Sequence, residues 1–125
     1  MKIVIKPWGK ELWIAHNDKY AGKLIYINAN RKLSKQYHKK KQETLYLLEG
    51  IAFIEIGPIN EQTKYIKIDS RYSSEEERII EIPPNTVHRI EAINNCIFME
   101  VSTTELDDIV RLADDYGRVN KDDLL

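Results

Sequence analysis

The residues best equipped for chemistry fall in two short stretches of the 125-residue chain, residues 30–50 (NRKLSKQYHKKKQETLYLLEG) and 82–92 (IPPNTVHRIEA). If residues 34–40 are extended, side chains alternate, so Gln36 and His38 share one face while Lys35, Tyr37 and Lys39 take the other. Glu43 opens the next apolar run, and a hairpin through the lysine-rich turn brings it back toward Gln36 and His38. His88 follows a proline-stiffened turn, Pro83-Pro84-Asn85, at the start of another extended stretch. In a barrel these two stretches would be neighbours, closing a site of two imidazoles, one carboxylate and one amide oxygen. Such a donor set suits a divalent cation, zinc first, with Mn, Fe, Co and Ni also compatible. Lys40 stays in phase with Gln36 and His38 for as long as the strand continues, which would aim it inward as a base or phosphate clamp. The alternative for Lys40 is a solvated turn lysine. Each of these residues taken singly has an ordinary explanation, and it is the joint spacing that points to a site.

The elements that must position them read as strands. Period-two apolar runs occur at 23–28 (KLIYIN), 45–48 (LYLL), 51–56 (IAFIEI), 64–68 (KYIKI), 78–82 (RIIEI) and 96–101 (CIFMEV), rich in Ile and Tyr as strands should be. Turn signals separate them, among them Glu49-Gly50, Gly57-Pro58 and Asn94-Asn95. Six or more short strands imply an all-β sandwich or barrel. Only near the C-terminus does a helical pattern emerge, where Leu106, Ile109, Val110 and Leu112 would share one face of a short helix before Tyr116-Gly117. One domain is expected, with a core over about 20–102, an N-terminal arm at 1–19 and a C-terminal segment at 103–125 that ends in a loosely held tail, NKDDLL.

Composition narrows the function classes. With 42% hydrophobic and 31% charged residues, the chain can bury one core, and it has no apolar run approaching the roughly 18 residues of a membrane span. The single Cys96 forms no internal disulfide, three His with one Cys supply no cysteine-rich zinc cluster, and the N-terminus lacks the pattern of a secretory leader; a cytoplasmic home is expected. Residues 1–41 carry 11 Lys/Arg against two acids and residues 42–125 carry 8 against 18, for a net charge of -1. Basic residues interrupted at strand spacing in a nearly neutral chain do not describe a nucleic-acid binder. A small anion such as a sugar phosphate remains open.

The pattern Gln36-x-His38-x4-Glu43-x6-Gly50, followed by Pro83-x4-His88, resembles the two sequence motifs of the cupin superfamily. Within it, the chain resembles the cupin isomerase domain of type II phosphomannose isomerases, without their guanylyltransferase domain, so sugar-nucleotide synthesis is not expected. Three further stretches carry the resemblance: Lys6-Pro7-Trp8-Gly9, Thr86-x-His88-Arg89-x-Glu91, and the closing signature Asp107-Asp108-Ile109-Val110-Arg111 with Asp114-Asp115-Tyr116-Gly117-Arg118. The resemblance implies a jelly-roll barrel, a metal held by Gln36, His38, Glu43 and His88, and aldose-ketose isomerisation of a sugar phosphate of the mannose 6-phosphate kind. It also implies that the closing signature returns over the barrel mouth, where Arg111 and Arg118 would grip phosphate or else pair with neighbouring Asp residues. A homodimer is expected from the resemblance and from the need to protect sheet edges. The sequence departs from the family in Asn30 and Asn85, where glycine is usual, and in Lys39-Lys40-Lys41-Gln42 and Thr44 around Glu43, where His and Arg are usual. Those changes favour, as alternatives, a non-catalytic cupin that binds a sugar or sugar nucleotide, or another metal cupin enzyme such as an epimerase.

Overall fold

Alternation of inward and outward side chains shapes the chain into two antiparallel sheets. The structure, a computed structural model, describes residues 1–118. One sheet has six strands: β1 (Lys2–Lys6), β2 (Gly9–His16), β3 (Ala21–Ile27), β5 (Glu43–Glu49), β8 (Ile79–Ile82) and β10 (Cys96–Ser102). They lie in the order β1-β2-β3-β10-β5-β8. The other has five: β4 (Lys35–Tyr37), β6 (Ile51–Pro58), β7 (Lys64–Asp69), β9 (Thr86–Ala92) and β11 (Val110–Ala113), in the order β11-β4-β9-β6-β7. The inner faces meet in a core that includes Ile27, Leu45, Leu47, Ile82 and Phe98 from the first sheet and Ile54 and Ile68 from the second. Removing this apolar surface from water is the main term holding the sheets together.

Each apolar run read from the sequence falls on a strand, with Asn28 just past the end of β3 and Arg78 in the 3-10 turn that precedes β8. Asn30 and Asn85 both adopt left-handed backbone, with φ of 63° and 59°, so asparagine fills a role that otherwise favours glycine. Residues 1–19, read as an arm, contain β1 and β2, hydrogen-bonded onto the edge of the six-stranded sheet. The C-terminal helix expected from Leu106, Ile109, Val110 and Leu112 is not formed. Residues 104–108 make turns, and β11 pairs with β4, Val110 opposite Tyr37 and Arg111 opposite Gln36. A helix of so few residues satisfies little of its own backbone, whereas the open edge of β4 supplies ready partners. The tail at 120–125 lies outside the described residues.

Candidate metal centre

Gln36 and His88 sit directly opposite each other where β4 pairs with β9. Glu43 begins β5 in the facing sheet, and His38 follows the end of β4. The two sheets thus present four donors to one cavity of about 290 Å³, which all four line. Ligand atoms of His38, Glu43 and His88 lie within 4.8 Å of one another, and all three residues are buried. Glu43 Oε1 is 3.5 Å from His38 Nε2 and 3.1 Å from His88 Nε2.

The second ring nitrogens are fixed by main-chain carbonyls. His38 Nδ1 lies 2.5 Å from the carbonyl oxygen of Asp108, and His88 Nδ1 lies 3.0 Å from that of Thr86. A carbonyl only accepts, so each Nδ1 carries a hydrogen and each Nε2 is the nitrogen turned toward Glu43. Asp108 does more. Its carboxylate accepts the backbone N–H groups of Lys39, Lys40 and Lys41 at 3.1, 2.6 and 2.9 Å, and the carbonyl of His38 accepts from Asn85 N at 2.7 Å. The loop between His38 and Glu43 is therefore held from both sides.

This loop changes the inward lysine. Strand β4 ends at Tyr37, so the alternation that would point Lys40 toward the site stops short, and Lys40 is exposed. Lys41 turns in instead. Its ammonium lies 3.1 Å from Glu43 Oε2 and 3.3 Å from Glu100 Oε2, with the side chain 6% exposed. The two oxygens of Glu43 are divided, one toward the imidazoles and one toward Lys41. Lys23 continues the chain of charges at 3.9 Å from Glu100 and 3.5 Å from Glu11, and Trp13 Nε1 donates to Glu11 at 2.9 Å.

The charge states follow from these neighbours. Burial opposes ionisation of Glu43, but hydrogen bonds from His38 and His88 and the charge of Lys41 outweigh it, holding the carboxyl well below its usual range. Burial and the charge of Glu43 push Glu100 up to about 8. Burial, reinforced by Lys23, Arg118 and Arg111 and opposed by Glu11, pulls the Lys6 ammonium below its ordinary value.

Arg111 and Arg118 both line the cavity, as do Lys6, Trp8 and Trp13. Arg118 is also gripped by Asp114, with Nε and Nη2 each 2.9 Å from a carboxylate oxygen. Arg89 faces away, as its phase against His88 requires, and binds the Leu33 carbonyl and Asp115. Sequence reasoning missed Lys41, Asp108, Glu100, Lys23 and Lys6 as parts of the site. A signal existed for two of them: Glu100 is in phase with Cys96 and Phe98, and Lys23 with Ile25 and Ile27, so each places a charge on an inward face.

The comparisons agree with this fold. The chain is 33% identical over 121 residues to a mannose-1-phosphate guanylyltransferase of Escherichia coli (strain K12), covering 93% of this chain and 23% of that protein. It thus spans about a quarter of that relative's length. Among solved structures, the capsular polysaccharide assembling protein CapF from Staphylococcus aureus superposes with a TM-score of 0.77 at 13% identity, over 90% of this chain and 32% of that one. Bacillus subtilis oxalate decarboxylase, a protein with Mn(II) centres, superposes with a TM-score of 0.72 at 14% identity, over 90% of this chain and 30% of that one. These likenesses show a cupin fold. The model of the Mannose-6-phosphate isomerase C-terminal family matches residues 1–114, and the chain belongs to that family.

Proposed function

We propose that this protein is a metal-dependent aldose-ketose isomerase acting on a sugar phosphate of the mannose 6-phosphate kind. The observation that carries the reading is one cavity with four converging donors at one wall and cationic side chains around it. The donors fit a divalent cation. Gln36 Oε1 is buried without a hydrogen-bond partner among the described residues, a costly state for an amide oxygen that a cation would relieve. Gln36, His38, Glu43 and His88 would hold the ion, a set of two nitrogens and two oxygens suited to zinc and compatible with Mn, Fe, Co or Ni.

When bound, such an ion polarises a carbonyl and its adjacent hydroxyl, acidifying the hydrogen that must move between C1 and C2. The chain's own residues bind and orient the sugar phosphate. Lys6, Arg111 and Arg118 give the cavity the positive charge that a phosphate monoester requires. Trp8 and Trp13 supply flat apolar surface for a sugar face. Lys41 and Lys23 offset the buried charges of Glu43 and Glu11, and Glu100, pushed up to about 8, is mostly protonated at neutral pH beside both lysines, so the set of buried acids and lysines is close to charge balance.

The test is metal analysis of the purified protein beside a coupled assay converting mannose 6-phosphate to the ketose. About one divalent ion per chain and turnover abolished in His38→Ala and His88→Ala support the reading. Full metal occupancy in both variants would show that the ligand set is wrong. Metal content and thermal stabilisation by a sugar, with no turnover on a broad panel, would instead identify a binding protein, a reading favoured by the engagement of Arg118 with Asp114.

A further inference from the structure

Among the described residues, five cationic side chains line the cavity: Lys6, Lys23, Lys41, Arg111 and Arg118. Three of them are visibly engaged by protein carboxylates. Lys23 pairs with Glu11 and Glu100, and Lys41 with Glu43 and Glu100. Arg118 spends one edge of its guanidinium on Asp114, which also accepts the Arg118 backbone N–H at 2.7 Å. The Asp114 side chain is 0% exposed, so it has no solvent into which to withdraw, and a ligand meeting that edge of Arg118 would have to break a bidentate pair. Lys6 differs. It is half-buried in the cavity wall, yet its ammonium makes no hydrogen bond or ion pair with the described residues. Burial disfavours the charge; Glu11 opposes this, and Lys23, Arg118 and Arg111 add to it. An anion beside Lys6 would offset those like charges and supply the partner that a buried cation needs.

The backbone aims and fixes this side chain. Ile3 and Ile5 are exposed on the outer face of β1, so Val4 and Lys6 take the inner face. Past Lys6 the chain turns sharply, with Trp8 buried in the core and its carbonyl accepting from Asn28 N at 2.9 Å. Register then places Lys6 relative to the metal donors. Glu43 and Ala21 both stand opposite Ser102, whereas Lys6 and Ile27 both stand opposite Gly9. Lys6 and Glu43 thus belong to opposite ends of β3, from Ala21 to Ile27, roughly 20 Å along the strand at 3.3 Å per residue before their side chains lean inward. A sugar with C1 and C2 at the donors directs its far end toward Lys6, so the phosphate that meets this ammonium is carried on the terminal carbon.

We propose that Lys6, and not Arg118, is the residue by which the cavity selects phosphorylated over plain sugars, holding a phosphate on the carbon farthest from the metal donors. We rest this assignment on the sugar-phosphate reading of the cavity, which it narrows from a general positive charge to one ammonium.

Phosphorus magnetic resonance titrations of the full chain with inorganic phosphate and with mannose 6-phosphate test it, with chelator present so that no metal binds the phosphate and circular dichroism confirming that each variant is folded. A charge-assisted contact is worth about 10- to 100-fold in affinity, and Lys6→Gln is expected to weaken both ligands by that factor. Lys6→Arg should bind within about threefold of wild type, because guanidinium also serves phosphate. Lys10→Gln removes the same charge from the outer face, where Lys10 is exposed over Tyr26, and should change neither ligand. No phosphate binding by the wild type, undiminished binding in Lys6→Gln, no rescue by Lys6→Arg, or an equal loss in Lys10→Gln would each overturn the assignment. Turnover of mannose 6-phosphate separates it from the isomerase reading: Lys6-dependent phosphate binding without turnover supports the assignment and overturns the isomerase alone. With turnover, Lys6→Gln is expected to raise KM by the same factor at unchanged kcat, since a contact remote from C1 and C2 binds substrate and transition state alike; a fall in kcat at unchanged KM would overturn the assignment.

Discussion

The cavity depends on side chains that touch no ligand themselves. Asp108 serves two donors at once: its carbonyl sets the tautomer of His38, and its carboxylate gathers three consecutive N–H groups so that Lys41, and not Lys40, turns toward Glu43. Asp108→Ala keeps the main-chain carbonyl behind His38 but frees the three N–H groups of the loop between His38 and Glu43, and is expected to cost about 2 kcal/mol of stability and to lower affinity at the proposed divalent-metal site by about tenfold. Titration calorimetry with zinc and urea unfolding check the two effects separately, and Asp108→Asn should fall between. Gln36 and His38 were legible as a same-face pair because strand alternation is periodic and needs no knowledge of the partner strand, whereas Glu43, expected to return through a hairpin, reaches the cavity from the facing sheet, since β4 and β5 do not pair. Lys41 was not, because strand phase ends where the chain turns. What decides between three successive lysines is an aspartate nearly seventy residues away in sequence, at |i−j| of 67 to 69.

Elements come together by close backbone approach as much as by side-chain packing. A Cβ placed on Gly9 would lie 1.9 Å from the Tyr26 carbonyl oxygen, so β2 can begin against β3 only with glycine there. Gly9→Ala is expected to destabilise the fold by about 3 kcal/mol, read from the urea midpoint. On the other sheet, Glu55 accepts from Thr63 Oγ1 at 2.5 Å and pairs with Lys35 at 2.9 Å. Burial works against its ionisation, but these partners prevail and keep its carboxyl below the ordinary value of 4.5. A depressed carboxyl binds its proton more readily unfolded, so the stabilisation is present above pH 4.5 and is lost as pH falls through the folded-state value. Glu55→Gln should remove about 1 kcal/mol at neutral pH and flatten the acid limb of a stability-pH curve, measured by urea titration at each pH. The strands rich in Ile, Tyr and Phe were evident in the sequence. β1 and β2 were not read as strands, because charges and Pro7-Gly9 suggest loop, and the C-terminal strand was mistaken for helix because Leu106, Ile109, Val110 and Leu112 have spacing that serves a helical face. Only the free edge of β4 selects the strand.

At the scale of the whole molecule, the proposed cation site would link binding to folding, since its four donors come from separate strands and loops that assemble only in the folded chain. A divalent cation at about 100 times its dissociation constant should add about 2.7 kcal/mol and raise the thermal midpoint by roughly 10 °C. Scanning calorimetry with and without chelator measures this, and the increment should vanish in His88→Ala while persisting in Lys40→Ala, whose side chain is exposed. The sequence by itself determined an all-β chain, the shared face of Gln36 and His38 and the two asparagines that turn the backbone, since each depends on a residue's own preferences or on a period of two along one strand. Tertiary structure alone decided which lysine enters the cavity and how buried acids and lysines from five segments form one charge chain. Those outcomes depend on register between strands remote in sequence, and register is fixed only when every strand has found its neighbour.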